Sequence, residues 1–159
     1  MKINLIKAET DEHINMARTL FLEYEKELGI NLCFQNFKNE LKNLPCKYAE
    51  PAGALLIAEN KFKNPAGCVA LKKLSANGIC EIKRLFVKPD CRTKGVGVKL
   101  ISAIIDIAVK KGYLFMRLDT LASLKKAIKL YDFFGFKKIA PYYNNPIKNA
   151  VYMELNLEK

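Results

Sequence analysis

Four residues at the mouth of one segment carry the first chemical signal. In PDCRTKGVGVKL, residues 89–100, Arg92 and Lys94 lead into Gly95 and Gly97, and an apolar-patterned helix follows. Glycine costs a helix about 1 kcal/mol relative to alanine, so two of them at a helix start need a reason. A strand ending near Val87 or Lys88, a tight loop and a helix beginning near Lys94 can together hold an anion. The first turn of a helix leaves its N–H groups unpaired and carries about half a positive charge. A phosphate satisfies both. Without Cβ atoms, Gly95 and Gly97 let phosphate oxygens approach the backbone, and Arg92 adds a charged fork. The segment is neither a Walker A loop nor G-x-G-x-x-G, because Leu100 stands where the third glycine would be. What remains, R-x-x-G-x-G, reads either as a turn or as an anion cradle.

Other reactive side chains are sparse. The only histidine, His13, falls in the first turn of a helical segment and reads as a surface residue. The five cysteines, Cys33, Cys46, Cys68, Cys80 and Cys91, are odd in number and scattered, with no CxxC. That spacing argues against a zinc site. No metal is expected, and reduced thiols in the cytoplasm fit best. The formal charge of +11 admits a nucleic-acid surface or a site for a polyanionic small molecule. The basic residues run from Lys2 to Lys159 without a concentrated stripe or a recognition motif, so nucleic acid is not expected as the main partner. No apolar run reaches the roughly 18 residues of a membrane span. MKINLIKAET has no sustained apolar region of the kind a signal peptide carries.

The elements that must position these residues follow from periodicity and punctuation. Residues 3–8 read as a strand. Residues 10–29 read as a helix capped by Thr10 or Asp11 and stopped by Gly29, and 34–44 as a shorter helix ended before Pro45. Residues 53–60, 66–74 and 79–88 are spaced as an antiparallel meander. A helix over 98–112 and a buried strand over 113–120 come next. A helix over 123–135 follows, with Ser123 as its cap and Gly135 as its stop, and strands over 136–140 and 150–157 close the chain. The order β-α-α-β-β-β-α-β-α-β-β contains one β-α-β crossover. It predicts an α/β fold, a mixed six- to seven-stranded sheet with about four helices on both faces, in a single domain over residues 1–159.

Two motifs in this order carry a family resemblance. R-T-K-G-V-G, between a strand ending in LFV and a long amphipathic helix, resembles motif A of the GNAT superfamily of N-acetyltransferases. AIKLYDFFGF, residues 127–136, resembles the family's A-x-x-L-Y-x-x-x-G-F signature. The likeness is strongest over 79–157. KYAEPAGALLIAE, CEIKRLFV, RLDT and a Tyr-Tyr-x-Asn-Pro segment look closest to a bacterial branch of mostly unassigned acceptor.

The resemblance implies acetyl-CoA as donor and no metal. Leu85, Phe86 and Val87 would pair with the pantetheine arm like an added strand. The amides of Arg92, Thr93, Lys94, Gly95, Val96 and Gly97 would wrap the pyrophosphate. Tyr131 matches the family tyrosine near the CoA sulfur and is the candidate acid, although its helical face, shared with Leu124, Ala127 and Ile128, also suits a core tyrosine. Glu81, 14 residues before Gly95, matches a base glutamate of the histone-acetylating branch, or is a solvated strand residue. Leu124 departs from the family, where asparagine often contacts the cofactor arm. Tyr24, Arg84, Tyr142, Tyr143 and Asn144 are the candidate acceptor residues, and the tyrosines serve equally as packing. In a regular strand Arg84 faces away from Glu81 and Lys83, and a bulge would change that.

The function this implies is acetyl transfer to a small, amino-acid-like amine, with protein lysines or N-termini as an alternative acceptor. A non-catalytic acyl-CoA-sensing module is the rival of another class. A homodimer is common in the family, and nothing in this sequence speaks to it. Gly97→Val is expected to abolish acetyl-CoA binding while leaving a folded protein.

Overall fold

The computed structural model describes residues 2–158. Seven strands form one sheet: β1 (Ile3–Lys7), β2 (Ala54–Asn60), β3 (Pro65–Lys73), β4 (Ile79–Val87), β5 (Phe115–Leu121), β6 (Lys137–Ile139) and β7 (Ala150–Asn156). Their spatial order is β1-β2-β3-β4-β5-β7-β6. All neighbours are antiparallel except β4 and β5, which the crossover makes parallel. The helices are α1 (Asp11–Leu28), α2 (Phe37–Lys42), α3 (Val96–Lys110) and α4 (Lys125–Phe133).

Local chemistry sets the helix ends. Thr10 Oγ1 accepts the His13 N–H at 3.2 Å, Asp11 and Glu12 occupy the first turn of α1, and Gly29 ends it in the left-handed region at φ +66°. Two expectations need correction. Ser123 does not cap α4. Leu124 holds the capping position, and the backbone closes the turn through Leu124 N–H to Leu121 O and Lys125 N–H to Ser123 O. The helix expected over 34–44 is broken. Leu32–Gln35 is a 3₁₀ turn, and Asn36 at φ +58° separates it from α2, because a left-handed residue cannot continue a right-handed helix.

Two cores lie on opposite faces of the sheet. In β3, Val69 and Leu71 pack with Leu100, Ile101 and Ile104 of α3, whereas Cys68 and Ala70 pack with Ala17, Leu20 and Phe21 of α1. This period-two alternation, with both faces covered, explains why β3 is apolar from Pro65 to Leu71. Each fully buried Leu, Ile or Phe contributes about 1.5–3 kcal/mol.

The alternation breaks once in β4. Ala70 faces Lys83 and Cys68 faces Phe86, so Val69 alone opposes Arg84 and Leu85. The extra residue is a β-bulge, and Arg84 sits there at φ +58°. The bulge reverses the parity of the strand. Ile82, Leu85 and Val87 face the α3 core, and Phe86 faces the α1 core. Arg84 is carried to the α2 side, where Nε and Nη2 donate to Glu40 at 2.8 and 3.1 Å and Nη1 donates to Gln35 Oε1 at 2.7 Å. The regular-strand placement of Arg84 is thereby replaced.

Arg84 and Glu40 are 3% and 4% exposed. Burial alone would raise the Glu40 carboxyl, but the hydrogen bonds and charge of Arg84, with help from Lys47, hold it below the usual range. Removing one partner of a buried pair costs about 3–5 kcal/mol. Arg84→Ala is therefore expected to lose that much in urea unfolding, and Arg84→Met combined with Glu40→Leu to lose less. A depressed carboxyl stabilises fully above its unfolded pKa, about 4.3, and that contribution is lost as pH falls from there through its lower folded pKa. The Tm gap between wild type and Glu40→Gln should thus narrow in acid, and a gap independent of pH would remove the pair as its source.

Candidate active site

β4 and β5 pair over only three positions, Ile79 with Phe115, Cys80 with Met116 and Glu81 with Arg117. Beyond Glu81 and Arg117 the strands part. The cleft between them is lined by Ile82, Lys83, Arg84 and Leu85 on one side and Asp119, Thr120 and Leu121 on the other. Tyr24 and Leu32 close it from the α1 side, and Leu124, Ala127 and Tyr131 from α4.

At the open end of β4 lies the glycine loop. Thr93 and Gly95 take left-handed conformations at φ +63° and +79°, and α3 begins at Val96. Among the described residues, no acceptor meets the N–H groups of Thr93, Lys94, Gly95, Val96, Gly97 or Val98, and the ladder of α3 starts with Lys99 N–H to Gly95 O. Six successive amides are left for an external acceptor, at the positive end of a helix of 15 residues. The two glycines serve different ends. A Cβ on Gly95 would meet nothing within 4 Å, so its backbone angle is what demands glycine. A Cβ on Gly97 would lie 3.2 Å from Leu130 Cδ2, a tight contact to which the end of that side chain would have to yield. Arg92 offers less than a free fork. Its Nε donates to Val87 O at 2.9 Å and its Nη2 to Glu27 at 2.5 and 2.6 Å. The Lys94 ammonium donates to Asp90 O at 2.8 Å.

Tyr131 packs edge-on against Phe136 at 5.6 Å while bordering the cleft. Burial, then the neighbouring Tyr24 and Asp119, keep its phenol protonated far above neutral pH. Tyr24 lines the same cleft, and its phenol is pushed up to about 12, chiefly by burial. Glu81 faces an adjoining cleft. It is 2% exposed, and its carboxylate accepts the Tyr142 hydroxyl at 2.5 Å. Tyr143 donates to Asp119 Oδ2 at 2.6 Å. Arg84 borders the cleft, but Glu40 and Gln35 consume its guanidinium. Asn144 is exposed and lines neither cleft, whereas Asn145 lines the first and donates to Tyr143.

Asp119, Lys83 and Asn145 were not singled out from the sequence. Lys83 Nζ donates to Asp119 Oδ1 at 3.0 Å, across the gap between the strands. A period-two polar pattern in buried strands, Glu81 and Lys83 in β4 and Arg117 and Asp119 in β5, was the available signal. Among the described residues no group of three or more His, Cys, Asp or Glu could hold a metal, and no helix is long and apolar enough to cross a membrane.

A mixed sheet whose central parallel pair parts beside a helix with unpaired amides defines a class of acyl-transfer fold. The sequence model of the acetyltransferase (GNAT) family matches residues 14–136. An uncharacterized N-acetyltransferase of Schizosaccharomyces pombe is 41% identical, over 99% of this chain and 96% of its own length. One of Dictyostelium discoideum is 31% identical over 94% and 97%. The likeness therefore extends beyond bacteria. Among solved structures, a GNAT-family acetyltransferase of Staphylococcus aureus superposes with a TM-score of 0.82 at 21% identity, covering 99% of this chain and all of that one. The chain belongs to the acetyltransferase (GNAT) family and is an acetyltransferase.

The loop geometry refines the glycine test. Gly97→Val forces its side chain against Leu130 and should lower stability as well as ligand binding. Gly95→Ala is the cleaner probe. Its left-handed backbone costs about 1 kcal/mol, roughly 2–4 °C in Tm for a chain of this size. Titration with CoA should show weakened affinity in a protein that remains folded, and undiminished affinity would show that the loop only turns.

Proposed function

We propose that the protein transfers the acetyl group of acetyl-CoA to the primary amine of a small molecule by direct attack. The observation that carries this reading is the run of unpaired amides from Thr93 to Val98, at the mouth of a cleft bordered by the Tyr131 phenol. A pyrophosphate satisfies those amides, and the β4 edge at Leu85, Phe86 and Val87, which has no partner strand on the β5 side, suits an extended pantetheine arm.

Acetyl-CoA supplies the activated acyl group. As the amine nitrogen bonds to the acetyl carbon and the carbon–sulfur bond breaks, one proton must leave nitrogen and one must reach sulfur. Tyr131, kept protonated by burial, donates to the departing sulfur. Asp119 takes the proton from the amine, because it is the carboxylate that lines the same cleft as Tyr131. Lys83 and Tyr143 fix its two oxygens and orient it. A second reading keeps Glu81 as the base. Tyr142 donates to it at 2.5 Å, so the phenol can accept a proton from the amine while passing its own to Glu81.

CoA release measured against a panel of amines tests the whole. Tyr131→Phe should lower kcat by about 10²-fold or more with acetyl-CoA binding retained. Asp119→Asn should lower kcat by a comparable factor, again with acetyl-CoA binding retained. A loss of kcat in Glu81→Gln, with Asp119→Asn unaffected, would transfer the role to Glu81. Binding of acetyl-CoA without turnover on any amine would favour a sensing module.

A further inference from the structure

Next to the β4–β5 cleft is a second cavity of about 330 Å³, sharing Phe34, Gln35 and Lys83 with the first. Four cationic side chains, Lys47, Lys72, Lys83 and Arg117, line it against one carboxylate, Glu81. That carboxylate is withdrawn, because its side chain is 3% exposed and Tyr142 caps one oxygen. What the cavity presents to a ligand is cationic.

The cations are not equally free. Lys83 is held by Asp119 at 3.0 Å and Lys47 by Glu40 at 2.9 Å. Among the described residues Lys72 is ion-paired with Glu81 alone, at 3.6 Å, a separation beyond direct hydrogen bonding. Burial, more than any other influence, makes its charge unfavourable, and an anion would relieve that cost. Arg117 reaches Glu154 through Nε alone, at 2.8 Å, and its plane lies over Tyr142 at 5.2 Å. Among the described residues its two terminal nitrogens have no partner. One ammonium and one guanidinium edge are thus unspent as hydrogen-bond donors, in a cavity that adjoins the cleft where the amine would react.

Resting on the acetyl-transfer reading, we infer that the acceptor is an amine that also carries a carboxylate, and that Lys72 and Arg117 bind that carboxylate while the amino group lies between Asp119 and Tyr131. Two unspent donor groups beside a buried carboxylate match a monoanion better than the dianion of a phosphomonoester. Arg84, the guanidinium that the sequence suggests for this task, is excluded by its bonds to Glu40 and Gln35.

The test uses the full chain and a series of α- to ω-amino acids. Each is paired with the amine lacking the carboxylate and with the corresponding aminophosphonate. The carboxylates should exceed the plain amines roughly 10-fold or more in kcat/KM, the scale of one charge-assisted contact. Lys72→Met and Arg117→Gln should erase most of that advantage through the acceptor KM, leaving acetyl-CoA affinity unchanged, and Lys72→Arg should retain it. Equal turnover of the plain amines, an advantage that survives Lys72→Met, or preference for the phosphonates would overturn the assignment. Calorimetry reads acetyl-CoA binding separately. A donor that fails to bind sinks the acetyl-transfer reading itself, and a bound donor with no turnover on any carboxylate sinks the acceptor assignment alone.

Discussion

The structure depends on a parallel strand pairing that stops early. β4 and β5 hold together over three residue pairs and then separate. A full ladder would close the sheet and leave the centre of the molecule without an opening. The charges at the point of parting are arranged in a row across four strands. Lys72 faces Glu81, Glu81 faces Arg117, and Arg117 faces Glu154. Opposite charges in adjacent strands stabilise the register there, which fixes the last joined pair. From that pair onward each strand keeps its outer neighbour, β3 or β7, and loses its inner one.

The bulge at Arg84 is the complement of that parting. An extra residue in β4, just past the last joined pair, turns the strand and changes which side chains face which core. Without it, Arg84 would be driven into the α3 core, where a guanidinium has no partner. With it, Arg84 bonds to α2 and to the 3₁₀ turn before it, and stacks over Phe37 at 5.0 Å. The left-handed backbone costs about 1–2 kcal/mol. The surrounding hydrogen bonds over-determine the conformation, as strained residues at functional positions require. The segment that closes one side of the cleft is thus tied to the strand that forms its floor.

Much of this was legible in the sequence, wherever the physics is local. Thr10, Gly29 and Gly135 mark helix ends by chemistry confined to one turn. The spacing of β2 to β4 and the apolar stripe of α3 give the layers, and the glycine loop by itself reads as either a turn or an anion cradle. Illegible parts depend on residues distant in the chain. Glu40 and Arg84 are 44 positions apart, and Lys83 and Asp119 are 36 apart. No periodicity connects such pairs. The bulge hid Arg84's direction, because Lys83 and Arg84 stand side by side in β4 and the sequence does not say at which residue the ladder skips. Asn36 broke a helix that its neighbours would have continued. Asn144 and Asn145 differ only in which of the two turns inward.

On the proposed reading, the unpaired amides at the start of α3 are a site written in main chain, and the candidate acceptor clefts are written in side chains. Every residue but proline supplies an N–H, so most substitutions between Thr93 and Val98 leave the amides where they are, and only the two glycines are points of vulnerability. On the proposed acceptor reading, Lys72 and Arg117 can each be exchanged singly, and each exchange alters what the cavity prefers. The same framework can therefore keep one partner through long divergence while its other partner drifts.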